Sequence, residues 1–157
     1  MGLFSKKSSN ASASVQRIDA ILQEEFDGAL QFDGEDFWVG GQGSTMVMVQ
    51  YVDAGDAATG VARVDAVVID EVVATPDLCF ELLTNATYDT VLGRWRIIPF
   101  EGGSGKSRVL LGMALLDVDG SLDADEIINV VRYIASAADH LDDELATKYG
   151  GKTAFLE

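Results

Sequence analysis

Residues 123–151, DADEIINVVRYIASAADHLDDELATKYGG, carry the most regular pattern of the chain. Asp123 and Glu126 stand at capping-box spacing, and Gly150-Gly151 is typical of a helix end. Between them apolar residues recur at steps of three and four: Ile127, Val131, Ile134, Ala138, Leu141 and Leu145. The pattern predicts one long amphipathic helix. Four carboxylates fall outside this apolar stripe and are expected on a solvated face: Asp139, Asp142, Asp143 and Glu144.

Two strand-like segments come before this helix. Residues 93–98 alternate, so that Arg94 and Arg96 share one face while Trp95 and Ile97 share the other. Residues 109–116 are apolar on both faces, which predicts a strand covered on both sides.

Earlier in the chain, three more segments have strand character, at residues 37–39, 45–52 and 61–74. Glycine-rich residues 40–43 and residues 53–56 separate them and read as turns. Linkers this short predict antiparallel hairpins.

Two shorter helices complete the pattern. Val15, Ile18, Leu22 and Phe26 lie on one helical face in the first of them. The middle helix begins with Thr75-Pro76-Asp77, a good N-terminal sequence, and is expected to stop near residue 85. Its apolar side chains cover more than half of its circumference: Leu78, Cys79, Phe80, Leu82 and Leu83.

The element order is therefore α-β-β-β-α-β-β-α, which predicts an α+β fold: a twisted antiparallel sheet of about five strands with three helices packed on it. We expect one domain over residues 15–151. Residues 1–14 are polar and are expected to be a disordered tail, and residues 152–157 a short C-terminal tail.

Composition narrows the possible partners. The 157 residues carry a formal net charge of −15, which disfavours nucleic acid and anionic membrane surfaces as partners. The acidity either serves solubility or points to a basic partner. Cys79 is the only cysteine, so no internal disulfide is possible. Without a signal-like or membrane-spanning segment, a cytoplasmic location is expected.

Two motifs resemble known ligand-binding loops but lack features that those loops require. Residues 102–107, GGSGKS, resemble a phosphate-binding loop, but a strand follows where that loop needs a helix. Asp117, Asp119, Ser121, Asp123 and Asp125 alternate like calcium ligands, but Leu122 and Ile128 stand where the calcium-binding loop needs glycine and glutamate. His140 is the sole histidine and cannot build a zinc site alone. We expect no catalytic residue, metal or cofactor.

Apolar surface remains after these assignments. Three helices barely cover two faces of a five-stranded sheet, and the middle helix is apolar around most of its circumference. Either the sheet twists around its helices and covers itself, or the apolar surface is an interface.

The second half of the chain resembles the YbjN family and the related chaperones of type III secretion in residue pattern, and most of the chain resembles them in element order. The resemblance lies in the Thr-Pro-Asp helix start followed by Leu-Leu-Thr-Asn, a Gly-Arg-Trp strand, an apolar strand, and Ala-Ala-Asp-His-Leu leading to Tyr-Gly-Gly in the last helix. It implies helices on one side of a twisted antiparallel sheet, frequent dimers and binding of a polypeptide segment.

The resemblance implies a non-enzymatic homodimer that binds a client polypeptide. The middle helix is then the expected dimer contact, through Leu78, Phe80, Leu82 and Leu83. Arg94 and Arg96 are candidates for pairing with acidic groups of a client, or simply form a solvated face. The alternative is a regulatory or sensory domain that binds a small ligand on the same apolar surface.

Overall fold

A computed structural model describes residues 12–53, 59–84 and 93–154. The expected tail before residue 12, the turn at residues 54–56 and the end of the chain after residue 154 lie outside the described residues. The elements in chain order are α1 Ala13–Phe26, β1 Leu30–Phe32, β2 Phe37–Gln42, β3 Thr45–Asp53, β4 Thr59–Val72, α2 Pro76–Thr84, β5 Arg94–Pro99, β6 Ser107–Val118 and α3 Ala124–Tyr149.

The described strands form one antiparallel sheet in the order β1-β2-β3-β4-β6-β5. The α+β class and the antiparallel pairing are therefore confirmed, with six strands in place of about five. The additional strand is β1, whose three residues are too few to show a period in the sequence. Its place is secured by pairing with β2 and by Phe32, whose ring stacks on Trp38 at 4.8 Å between centroids.

The glycines of residues 40–43 do not form the expected four-residue turn. Strand β2 continues through Gly40 and Gly41 to Gln42, which pairs with Thr45, so only Gly43 and Ser44 turn the chain. This strand position requires glycine, because a Cβ at Gly40 would approach the carbonyl oxygen of Ala29 to 2.1 Å.

The helices form as their end signals predict. In α3 the capping box is complete, since the Asp123 side chain accepts from the helix backbone and Glu126 accepts from Asp123 N. In α2, Leu78 N donates to Thr75 Oγ1 at 3.2 Å. α1 begins at Ala13 with Ser12 as its N-cap, so the folded chain reaches slightly earlier than residue 15.

A single core joins the helices to one face of the sheet. It contains Ile18 and Leu22 of α1, Leu78 and Leu82 of α2, and the α3 stripe, together with alternate residues of β3, β4 and β6. Helix α3 lies across β2, β3, β4 and β6. The described helices thus cover one face of the sheet, as the resemblance implied.

One expectation about α3 is wrong. Asp142 is fully buried, and Asp139 is half-buried, so the carboxylates do not form one solvated face. The reason is the β2–β3 turn, which docks on α3. Ser44 N and Ser44 Oγ both donate to Asp139 Oδ1, and Ser44 Oγ donates to Asp142 Oδ2 at 2.5 Å.

Candidate functional site

The face of the sheet opposite the helices, called here the open face, is defined by residues in register across the strands. One row contains Met48, Asp65, Gly112 and Arg94. The neighbouring rows contain Gln50, Arg63 and Ala114 on one side, and Val67, Leu110 and Arg96 on the other. Because side chains alternate along a strand, these residues project away from the helix-covered core.

The open face contains a cavity of about 200 Å³. Its lining combines apolar side chains with charged and polar ones: Phe37, Met48, Ile98, Phe100 and Leu110 on the one hand, Gln50, Arg63, Asp65, Arg96 and Arg108 on the other. Apolar surface combined with a few oriented polar groups is typical of a binding site.

Asp65 is the anchor of the polar part. Its side chain is almost fully buried between two guanidinium groups. Arg96 Nη1 donates to both carboxylate oxygens at 2.8 and 2.9 Å, and Arg63 Nε approaches Asp65 Oδ2 to 2.8 Å. Arg63 Nη2 also donates to Gln50 Oε1 at 2.8 Å. These contacts hold both arginines in place on the sheet surface.

Gly112 makes room for this cluster. Asp65 and Gly112 are partners in register, and Asp65 Oδ1 would approach a Cβ at Gly112 to 2.0 Å. The carboxylate therefore occupies the space above Gly112 that a side chain would need, and only glycine leaves this space free. This close approach is the physical reason for a glycine in the middle of a long apolar strand.

Arg108 closes one end of the cavity. Its guanidinium donates to both carboxylate oxygens of Asp70, at 3.2 and 2.7 Å, and lies 5.5 Å from the centroid of the Phe100 ring. The salt bridge and the aromatic contact orient the group, as expected for arginine stacked on a ring.

The sequence placed Arg94 and Arg96 on one strand face, and the structure agrees. Arg94 is exposed, whereas Arg96 is half-buried and already pairs with Asp65. The sequence reasoning missed Arg63, Asp65 and Arg108. The signal was present in β4, where small Ala62 and Ala66 alternate with charged Arg63 and Asp65, and in β6, where Arg108 precedes the apolar run.

Apolar surface extends beyond the cavity. Leu116 is 68% exposed, and Val52 and Val118 on the neighbouring positions are also exposed. This corrects the expectation that residues 109–116 are covered on both sides: Val109, Leu110 and Leu111 are buried, but Leu116 projects from the open face. Residues 67–69 are fully buried.

The candidate dimer residues of α2 divide into two sides. Leu78 and Leu82 are buried in the core, so they are enclosed by their own chain. Phe80 and Leu83 are 70% and 84% exposed. Glu81 connects α2 to the end of α3, because its carboxylate accepts hydrogen bonds from Lys148 Nζ and from the Tyr149 hydroxyl. The pKa of Lys148 is raised, chiefly by that hydrogen bond to Glu81.

The GGSGKS segment is the β5–β6 connection, as expected, and Ser107 begins β6. Phe100 N donates to Lys106 O at 3.0 Å and closes the hairpin. Lys106 Nζ donates to Glu71 at 2.6 Å, and Lys152 Nζ donates to the same carboxylate at 2.8 Å. These two hydrogen bonds lower the pKa of Glu71 to about 2. Lys106 thus forms a salt bridge within the chain.

Asp117, the first of the alternating carboxylates, forms hydrogen bonds within the chain. It accepts from Arg17 Nη2 at 3.1 Å, the Tyr51 hydroxyl at 2.9 Å and Leu122 N at 3.0 Å. Burial disfavours its charged form, but these hydrogen bonds outweigh burial, and the pKa of Asp117 lies below its usual value. Asp119 and Gly120 adopt positive φ in the strand-to-helix turn. Among the described residues, no group of three or more His, Cys, Asp and Glu side chains has a metal-binding arrangement.

A family model described as "T3SS (YopN, CesT) and YbjN peptide-binding chaperone 1", or TY-Chap1, matches residues 12–157. The chain belongs to this family. The match covers all the described elements of the TY-Chap1 chain, from α1 to α3, and so extends the resemblance from the second half to the whole fold. A search of the curated proteins found no match.

Membership agrees with the architecture of the site. A chaperone family implies a non-enzymatic role for this TY-Chap1 chain. None of the helices in the described ranges is long and apolar enough to span a membrane. The open face, with its cavity, and the outer side of α2 are two places where the described residues leave large apolar side chains exposed.

Proposed function

We propose that this TY-Chap1 protein binds a segment of a client polypeptide on the open face of its sheet, and that it acts as a homodimer. The observation that carries the proposal is the cavity of about 200 Å³ on the face that the described helices leave uncovered. The peptide-binding description of the family supports the same assignment.

The apolar lining supplies the driving force. Phe37, Met48, Ile98 and Phe100 are partly exposed around the cavity, and Leu116 continues the apolar surface along β6. Burying such area stabilises a complex by roughly 25 cal/mol per Å² before the costs of association are subtracted. Because exposed apolar side chains continue beyond the cavity, at Leu116, Val52 and Val118, an extended client segment could contact more of this surface than a compact molecule could.

The size of the cavity favours a peptide over a small ligand. Pockets for small molecules usually enclose about 300 to 1,000 Å³. The cavity here is smaller and continues into exposed apolar surface, which favours a side chain of a longer polymer as its occupant. A regulatory domain for a small ligand therefore remains the second candidate.

The dimer contact is proposed on the outer side of α2. Phe80 and Leu83 stand one turn apart, and Val73 just before the helix is also exposed. Inner contacts through Leu78, Leu82 and Glu81 hold α2 on the core, so its outer side is a rigid apolar ridge. In a two-fold dimer the same surface of both copies forms the contact, so the ridge of one copy would pack on the ridge of the other.

Two variants separate the two contacts. Ile98→Ser removes apolar contact from the cavity, and we expect it to weaken binding of fluorescein-labelled apolar peptides about fivefold in anisotropy titrations, without changing the mass in sedimentation. Phe80→Glu buries charge at the ridge, so it should yield monomers that retain peptide binding. Each variant is the control for the other.

The same experiments contradict the proposal if their outcomes are exchanged. Peptide binding lost in Phe80→Glu but unchanged in Ile98→Ser would move the client site to α2. A monomeric wild type would remove the dimer. Thermal stabilisation by small metabolites, with no binding of any peptide, would favour the regulatory domain instead.

A further inference from the structure

We infer that the client segment carries an acidic side chain beside bulky apolar residues. This inference rests on the proposed function and names the chemistry that its site selects. It runs against the overall charge of −15, which taken alone suggests a basic partner.

The first argument is the local charge. Arg63, Arg96 and Arg108 line the cavity, and Asp65 is the carboxylate among its lining residues. Counting Asp70, which pairs with Arg108, still leaves the cluster one positive charge in excess. Arg94 projects from the same face two residues before Arg96 on β5 and adds another positive charge. An acidic protein thus presents a basic surface at this place.

The second argument is the donors that remain. Within the described part of the chain, the hydrogen bonds of Arg96 to Asp65 use Nη1 alone. A guanidinium has five N–H donors in a planar fork, so the donors on Nε and Nη2 are left for a guest carboxylate. Asp65 holds the group in place beforehand, which lowers the cost of ordering it on binding.

The third argument is the neighbourhood of the charge. Phe37, Met48, Ile98 and Phe100 surround the guanidinium groups, and such apolar walls strengthen a charge-assisted hydrogen bond by excluding water. A client with only acids would leave these walls bare, and one with only apolar residues would leave the donors unpaired. A segment combining a carboxylate with large apolar side chains satisfies both.

The test uses three synthetic peptides of one sequence, acetylated and amidated, in which Phe and Leu flank two variable positions. These positions carry Glu, Gln or Lys. In a buffer of physiological ionic strength, where charges more than about 8 Å apart are largely screened, we expect the Glu peptide to bind about tenfold tighter than the Gln peptide. The Lys peptide should bind most weakly.

Variants of the protein locate the effect. Arg96→Gln should bring the affinity of the Glu peptide close to that of the Gln peptide. Arg94→Gln changes an exposed side chain, so it keeps the fold and should reduce the preference partly. Arg132→Gln, on the exposed side of α3 where Arg132 pairs with Glu25, is the matched control and should keep the full preference.

Failure of the inference and failure of the proposed function look different. Equal binding of all three peptides, or tightest binding of the Lys peptide, overturns the acidic client and leaves peptide binding in place. Absence of binding by every peptide overturns both. Loss of preference in Arg132→Gln as well as in Arg96→Gln would show that overall charge, and not the cavity, sets the selection.

Discussion

Two buried carboxylates, one on each face of the sheet, both pair with arginine but differ in the balance of charge around them. Asp117 lies on the helix-covered face, where Arg17, Tyr51 and Leu122 N each donate to it. Asp65 lies on the open face between Arg63 and Arg96. The first cluster pairs one arginine with one carboxylate and is closed by α1. The second has one arginine too many and faces the cavity. The balanced cluster stabilises the fold, whereas the proposal assigns the unbalanced one to a partner.

The largest effect is expected at Asp117. Asp117→Ala leaves Arg17 and the Tyr51 hydroxyl without their buried acceptor, so the free energy of unfolding should fall by about 3 to 5 kcal/mol in urea titrations. Glu144→Ala on the exposed side of α3 is the control and should change it by no more than about 0.5 kcal/mol. Equal effects would mean that Asp117 is not a structural group.

The pH dependence of the same residue follows from its lowered pKa. Since the folded-state pKa lies below the unfolded one, the contribution of Asp117 is present above the unfolded pKa and is lost as the pH falls through the folded pKa. The difference in unfolding free energy between wild type and Asp117→Ala should therefore shrink in acid.

The next effect contrasts the two sides of α2. Leu82 is buried in the core and Leu83 is exposed, although they are neighbours in the chain. Leu82→Ala should lower the free energy of unfolding by about 2 to 5 kcal/mol, because it leaves a cavity. Leu83→Ala should change it by no more than about 0.5 kcal/mol at protein concentrations where the chain is monomeric. A large loss in both would place both sides of α2 in the core.

The smallest effect concerns Asp142, a buried carboxylate to which no arginine of the described residues is paired. Burial raises its pKa, so its charged form is disfavoured in the fold. Stability from this group is greatest when it is protonated and falls as the pH rises through the raised pKa. Asp142→Asn can keep the contact with Ser44 without the charge. We expect a higher melting temperature than wild type at neutral pH, with the gain disappearing in acid. A gain that is the same at every pH would contradict this assignment.

The fold was predictable where periodicity and end signals agree over many residues. The α3 stripe, the Thr75 start of α2 and the alternation in β5 each depend on neighbours along the chain, and the structure confirms them. Strand β1 was missed because its three residues carry too little pattern. The extent of β2 was wrong because Gly40 serves a close approach of the Ala29 carbonyl and not a turn.

The site was predictable only in part. Arg94 and Arg96 could be placed on one face from β5 alone, but their partner Asp65 lies on β4, and β6 separates the two strands. Which strands neighbour each other is not written in the local pattern. The acidic side of α3 was misjudged for the same reason, since Ser44 reaches Asp142 from a turn nearly a hundred residues away in the chain.

By itself the sequence determined the class of fold, the ends of its helices and the alternation of each strand, because these follow from contacts within a few residues. Only the tertiary structure decided which carboxylates are paired, which leucines of α2 are enclosed and where arginines gather in an acidic chain. Those outcomes depend on strand order and on which elements pack against each face of the sheet. A charged side chain on the surface is solvated by water, whereas a buried one needs a partner group.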